Sequence, residues 1–314
     1  MIVLQQVDIS LVFEIRLVSK NLIRLLNMPE SVVLKIGGIP ICLRTEEKQG
    51  KFNFVKKTAD FIVQSDPEIT LKIHCGIFPE ITKQKIIFET NVGWCMGRID
   101  EKFTISFPSS KDHQLGIFTQ DFSAGDIFVA NCNDNPTKFV FPLAYPMGEL
   151  FIMNVLGKGM GVMVHAAGIA YQGKGYLFLG RSGAGKTTIA NLWHQQPDAL
   201  VLNDDKVIIR IEKDGYRIYG TPWHGEGGLA SPQDVPLKHI FLLEQAKSNH
   251  LSTLSTTESI LKLMNTSFLP LWNKDKIDFT LSLFNKLIQN VSTHNLGFLP
   301  DSTIIKFLRN LSIS

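Results

Sequence analysis

The stretch Tyr176-Leu-Phe-Leu-Gly-Arg-Ser-Gly-Ala-Gly-Lys-Thr-Thr-Ile-Ala-Asn-Leu-Trp-His194 decides how the rest of the chain is read. An apolar run too short for a helix, residues 176–179, stops at a loop with three glycines. A helix-forming run, residues 187–194, follows, and Pro197 lies just beyond it. Within this stretch Gly180-Arg181-Ser182-Gly183-Ala184-Gly185-Lys186-Thr187 fits the pattern G-x-x-x-x-G-K-[ST]. Glycine permits the backbone angles of a tight loop and leaves room beside it. Successive amide N–H groups can then converge on phosphate oxygens, and the positive end of the following helix adds to that attraction. A lysine at position 186 suits bridging of β- and γ-phosphates, and the hydroxyls of Thr187 and Thr188 lie at the helix start. Chance alone gives such a string in roughly one chain in a hundred of this length, and the strand-before, helix-after context is the confirming one. Gly180, Ser182, Gly183, Ala184, Gly185, Lys186, Thr187 and Thr188 are therefore the expected nucleotide-binding residues.

Downstream, residues 199–203 form a second apolar run that ends in Asp204-Asp205. A strand there can finish beside the glycine loop, because ligands gather at strand carboxyl ends in such sheets. Two adjacent carboxylates in one site resist double ionisation unless cations lie between them. Mg²⁺ and Lys186 would supply that charge. Thr187 and one aspartate are the expected metal ligands, and the other aspartate is suited to orient or deprotonate an attacking hydroxyl. The short interval between Lys186 and Asp204 and the absence of an Asn-Lys-x-Asp string both argue against a GTPase switch.

Residues 207–211 and 217–219 alternate around Asp214-Gly215, a hairpin signal. Strands are expected at 162–164, 169–171 and 240–243, and helices at 149–156, 257–264, 278–291 and 303–310. Residues 32–140 read as short strands separated by turns, with no chemical constellation. Residues 11–26 carry an amphipathic pattern that suits a packed helix better than a membrane anchor. The expected organisation is a β-rich N-terminal domain, 1–145, followed by an α/β domain, 146–314. The second domain is expected to hold a P-loop core in which a mixed β-sheet is flanked by helices.

The run from His165 to Thr188, with Leu202-Asn203-Asp204-Asp205, resembles the C-terminal catalytic domain of HPr kinase/phosphorylase and its related proteins. That group shares its nucleotide-binding core with phosphoenolpyruvate carboxykinases. The resemblance implies ATP as phosphoryl donor, Asp204 on the metal side, Asp205 as base and His165 beside them as a group that tunes or relays a proton. Gly220-Thr221-Pro222-Trp223-His224-Gly225-Glu226 is similar to the Gly-Thr-Pro motif of the HPr-kinase-related branch. It implies Glu226 as a further metal-side carboxylate, with Trp223 and His224 lining the site. Arg217-Ile218-Tyr219-Gly220 stands where HPr kinase itself has Glu-x-Arg-Gly, so HPr is not implied as the acceptor. Oligomers are usual in that family, which leaves a homo-oligomer open here.

Bulk properties bound the function. Of 314 residues, 44% are hydrophobic and 19% charged, as in a globular protein with a substantial core. The balance of 32 basic and 29 acidic residues, net +3, gives no footprint for nucleic acid. No run approaches the roughly 20 apolar residues of a membrane span, and Asp8, Glu14 and Arg16 interrupt any leader-like segment. The four cysteines, Cys42, Cys75, Cys95 and Cys132, have neither zinc-site nor disulfide-framework spacing, so reduced thiols and a cytoplasmic location are expected. The function these features imply is a kinase that transfers the γ-phosphoryl of ATP to a hydroxyl on a small molecule, peptide or protein. A slowly hydrolysing ATP-binding regulatory module and a carboxykinase-like lyase are the alternatives.

Overall fold

The structure is a computed structural model. It describes residues 31–45, 54, 56–76, 78–81, 84–91, 93–107, 114–130 and 141–311. The amphipathic segment 11–26 lies outside these residues, as do His113 and Cys132. The fold is mixed α/β, built on two large mixed sheets, with six helices among the described residues. None of those helices is long and apolar enough to cross a membrane.

The first sheet uses β1 (Ser31–Ile36), β2 (Ile39–Thr45), β3 (Ile62–Val63), β4 (Ile69–Cys75), β5 (Lys85–Glu89), β6 (Cys95–Ile99), β7 (Lys102–Ser106), β8 (Gln114–Phe118) and β9 (Ala124–Val129). A one-turn helix, α1 (Lys56–Ala59), precedes β3. The spatial order is β3-β1-β2-β4-β9-β8-β7-β6-β5. Gly37 and Gly38, both at positive φ, make the two-residue turn that sets the β1–β2 register. At the far rim, β5 exposes Ile86 and Ile87 between Lys85 and Glu89, while Phe88 turns inward against Trp94.

The helix α2 (Met147–Leu156) joins the two sheets, and all ten of its residues are buried. Phe151 packs on Phe118 of β8, with ring centroids 5.2 Å apart. One apolar cluster spans Leu34, Phe118, Phe151, Met163 and Trp223, so the core of the first sheet extends past residue 145 into the second half.

The second half contains β10 (Gly161–Tyr171), β11 (Lys174–Leu179), α3 (Lys186–His194), β12 (Ala199–Asn203), β13 (Lys206–Glu212), β14 (Gly215–Tyr219), β15 (Asp234–Gln245), β16 (His250–Ser252), α4 (Thr256–Asn265), α5 (Lys274–Asn290), β17 (Ser292–Phe298) and α6 (Thr303–Arg309). β10 is one continuous strand where the sequence suggested two. Its first half pairs with β13, and its second half lies between β11 and β12. β15 pairs antiparallel with β14 and parallel with β11 and β17. The pairings β10–β11–β15–β14–β13–β10 therefore close a ring.

Because β11, β15 and β17 are parallel, and β12 runs antiparallel to β10 as β11 does, their carboxyl ends share one edge. The glycine loop and Asp204 both emerge there. Helix α3 buries Ile189, Ala190 and Trp193 against this sheet, the spacing expected of a one-sided helix. β17, Ser-Thr-His-Asn-Leu-Gly-Phe, is a strand that the sequence pattern did not reveal.

The thiol expectation is corrected. Cys42 and Cys95 are free and buried, but Cys75 is disulfide-bonded. Sequence spacing does not report which residues meet in space, and this bridge removes the thiol argument for a cytoplasmic location.

Candidate functional site

The loop between β11 and α3 is held tightly. Gly185 precedes the helix at φ 104°, and a Cβ there would sit 2.4 Å from the Phe298 ring. A side chain at position 185 is thus excluded twice, by conformation and by contact. Gln245 Nε2 donates to Gly183 O at 2.8 Å, tying the loop to the end of β15. Gly180 and Gly185 are partly covered, as is Ala184, whereas Ser182 and Gly183 face solvent. Thr187 and Thr188 are half-buried in the first turn of α3.

Lys186 is only 6% exposed, and its Nζ donates to Gly180 O (2.8 Å) and Arg181 O (3.1 Å) across the loop. Burial lowers its pKa, and the negative charge of Asp205 opposes that shift.

The two aspartates have different partners but border one glycine: a Cβ on Gly225 would lie 3.2 Å from Asp204 Oδ2 and 3.4 Å from Asp205 Cγ. Asp204 is 1% exposed. Its Oδ1 accepts from Gly225 N at 2.9 Å, whereas its Oδ2 is buried without a hydrogen-bond partner. A Cβ placed on Gly227 would lie 2.5 Å from that Oδ2 and 3.3 Å from Thr187 Cγ2. Asp204, Thr187 and Gly227 therefore border one small space at the helix start. An unpaired buried carboxylate oxygen is costly and calls for a cation or a donor. The unpaired Asp204 Oδ2 is an oxygen donor of the kind a hard cation takes, while the Thr187 atom that borders the space is its methyl carbon.

Asp205 has partners of its own. Its Oδ1 lies 2.9 Å from His165 Nδ1, and its Oδ2 accepts from Lys206 Nζ. Antiparallel pairing sets His165 across from Lys206, which brings the ring to the turn. Burial raises the Asp205 pKa, but the His165 and Lys206 hydrogen bonds outweigh it and hold the carboxyl well below its usual range. Lys206 Nζ also stands 3.4 Å from Glu149 Oε1 of α2. Burial pushes the Glu149 carboxyl up to about 7, against the pull of Lys206.

The turn itself is fixed by Asn203, which is fully buried. Its Oδ1 accepts from the backbone N–H of Asp205 (2.8 Å) and Lys206 (2.7 Å). Its Nδ2 donates to Thr221 O (2.9 Å) and Trp223 O (3.2 Å). One amide thus aims both aspartates and anchors the 220–228 segment over Asp204.

The structure brings Lys186, Thr187, Asp204, Asp205 and His165 to one edge of the sheet. It does not bring Glu226 into a cluster with them: Glu226 is exposed, and no group of three or more acidic, histidine or cysteine side chains among the described residues is arranged to hold a metal. Trp223 does not line the site as expected. It is buried in the first core, with Nε1 donating to Leu143 O at 2.7 Å, and His224 faces solvent. Sequence reading passed over Asn203, Lys206 and Glu149. An asparagine before two aspartates is a turn signal that could have marked the first. The other two needed the fold.

A cleft of about 440 Å³ follows the other flank of the loop, between residues 180–184, the end of β15 and Lys262, Asn265 and Thr266. Lys262 Nζ donates to Glu244 Oε1 (2.8 Å) and Asn295 Oδ1 (2.7 Å) beside it. None of the carboxylates at 204 and 205 lines this space.

Residues 146–293 match the family model described as SynChlorMet cassette protein ScmC, so the chain is similar to that family over a little under half its length. The matched region includes β10 through α5 and the whole Asn203 turn. No curated protein matches the chain.

Proposed function

We propose that the protein is an ATP-dependent kinase that transfers the γ-phosphoryl group to a hydroxyl, with a P-loop at Gly180–Thr187. The observation that carries this reading is the buried, unpartnered Oδ2 of Asp204 beside Thr187, at the head of the helix that follows the glycine loop. Magnesium bound there would neutralise phosphate charge. The similarity to HPr-kinase-related proteins between His165 and Glu226 supports the same reading.

Loop amides and Lys186 would hold the triphosphate, with the nucleoside in the cleft beside residues 180–184. Lys186 would exchange its bonds to Gly180 O and Arg181 O for phosphate oxygens and offset charge as it develops. The acceptor oxygen attacks the γ-phosphorus, a new P–O bond forms, and the bond to the β-phosphate oxygen breaks as ADP leaves with the electron pair. The hydroxyl proton passes to Asp205, whose orientation His165 and Lys206 fix.

Transfer of labelled phosphate from ATP to a screen of hydroxyl acceptors tests this. Asp205→Asn should cut transfer by about a hundredfold or more while ATP binding, read by calorimetry, stays near wild type. Undiminished transfer in that variant removes Asp205 as base. One observation favours a second reading, an ATP-binding regulatory module with slow hydrolysis. Asp205 already has two partners and a depressed pKa, which makes it a weak base. Acceptor-independent ATP turnover insensitive to Asp205→Asn would support that reading.

A further inference from the structure

A second cavity, about 340 Å³, opens where α2 meets the rim of the first sheet and the segment after α4. Its walls are aromatic. Phe88 and Trp94 come from the first sheet and Trp272 from the turn before α5, with ring centroids 5.4 to 5.6 Å apart. Tyr145, 72% exposed, stands at the mouth. Trp272 is held in place by donation from its Nε1 to Asn154 Oδ1 at 3.3 Å.

The polar end of this cavity is Glu149, which is 4% exposed and whose Oε1 has only the ion pair with Lys206 Nζ at 3.4 Å. Lys206 links that end to the proposed base, since its Nζ lies between Glu149 and Asp205 and 5.9 Å from the Tyr145 ring. Apolar aromatic walls leading to buried polar groups are the chemistry of a pocket that takes a flat apolar group and orients a polar one.

We propose that this cavity is the acceptor subsite, and that it takes an acceptor whose hydroxyl lies next to an aromatic ring. The ring packs against the wall that Trp94, Trp272 and Phe88 form together, and the hydroxyl is directed along Lys206 toward Asp205. The first sheet thereby supplies specificity to a site built by the second. This inference rests on the kinase reading for the hydroxyl but not for the ring.

Two probes separate the claims: N-acetyl-seryl-phenylalanine amide and N-acetyl-seryl-alanine amide. Calorimetry on the full chain without nucleotide should show the phenylalanine probe binding about tenfold more tightly. Trp272→Leu should remove that preference, and Trp272→Phe should restore most of it, which distinguishes lost ring contact from misfolding. Equal binding of both probes, or an unchanged preference in Trp272→Leu, overturns the proposal. Labelled ATP then tests the reading beneath it. Ring-dependent binding without phosphate transfer leaves the subsite standing and removes the kinase. Transfer to serine with the same KM in wild type and Trp272→Leu leaves the kinase and removes the subsite.

Discussion

The two sheets treat buried polarity differently. Among the described residues, the first sheet and its connections, 31–129, bury Thr45, Thr58, Thr104 and Gln114 but no charged side chain. The second half buries Glu149, Lys186 and Asp204. Burying a charge costs several kcal/mol unless partners compensate. The buried charge thus lies in 146–311, the half in which the proposed kinase reading puts its chemistry.

The comparison can be broken at four points, taken from the largest expected effect down. Asn203→Leu strips partners from two backbone N–H groups and two carbonyls at once. It should destabilise the chain by about 4 kcal/mol in urea unfolding. A cost below about 1 kcal/mol would mean that the turn is held by something else.

Glu149→Gln should act in the opposite direction and depend on pH. The carboxyl titrates near 7 in the fold, above its ordinary 4.5. The folded chain holds that proton more tightly than the unfolded chain does. Its stabilising contribution is full below about 4.5 and is lost as pH rises through about 7. Glutamine stays neutral, so the variant should gain about 3 kcal/mol at pH 8 and below about 1 kcal/mol at pH 5. Equal melting shifts at both values would show that the carboxyl is not held neutral by burial.

Gly227→Ala places a methyl group against Asp204 Oδ2 at an ordinary backbone angle. It should weaken magnesium-dependent ATP binding by about tenfold, roughly 1.4 kcal/mol, as the buried carboxylate shifts to admit the methyl group. Undiminished binding would put the cation elsewhere. Thr104→Val in the first sheet removes one acceptor for Gln84 Nε2 and should cost below about 1 kcal/mol. A larger loss would show that the supporting sheet also depends on buried polar contacts.

Much of the second half was legible in the sequence because its local signals agree. The β11 run, the glycine loop and the one-sided α3 carry independent marks, and so does the Asp214-Gly215 hairpin. β17 was missed because Thr293, His294 and Asn295 are polar or half-buried, which hides a strand paired on both sides. The aspartate pair was legible as a pair but not in its two sets of partners. Gly225 and Gly227 meet Asp204, and His165 meets Asp205 beside its neighbour Lys206; of these only Lys206 is close in sequence. The disulfide at Cys75 and the burial of Trp223 likewise depend on which segments meet, which spacing does not encode.

The rim strand β5 carries a hazard and its remedy together. Among the described residues β5 has one side without a partner strand, and such an edge offers amides and carbonyls to a neighbouring polypeptide, with Ile86 and Ile87 exposed beside it. Lys85 and Glu89 bracket the pair, so a second copy aligned in parallel register would meet like charge at both ends. Cross-β growth from this rim is thereby discouraged, and the backbone that carries Phe88 stays free to wall the cavity behind it.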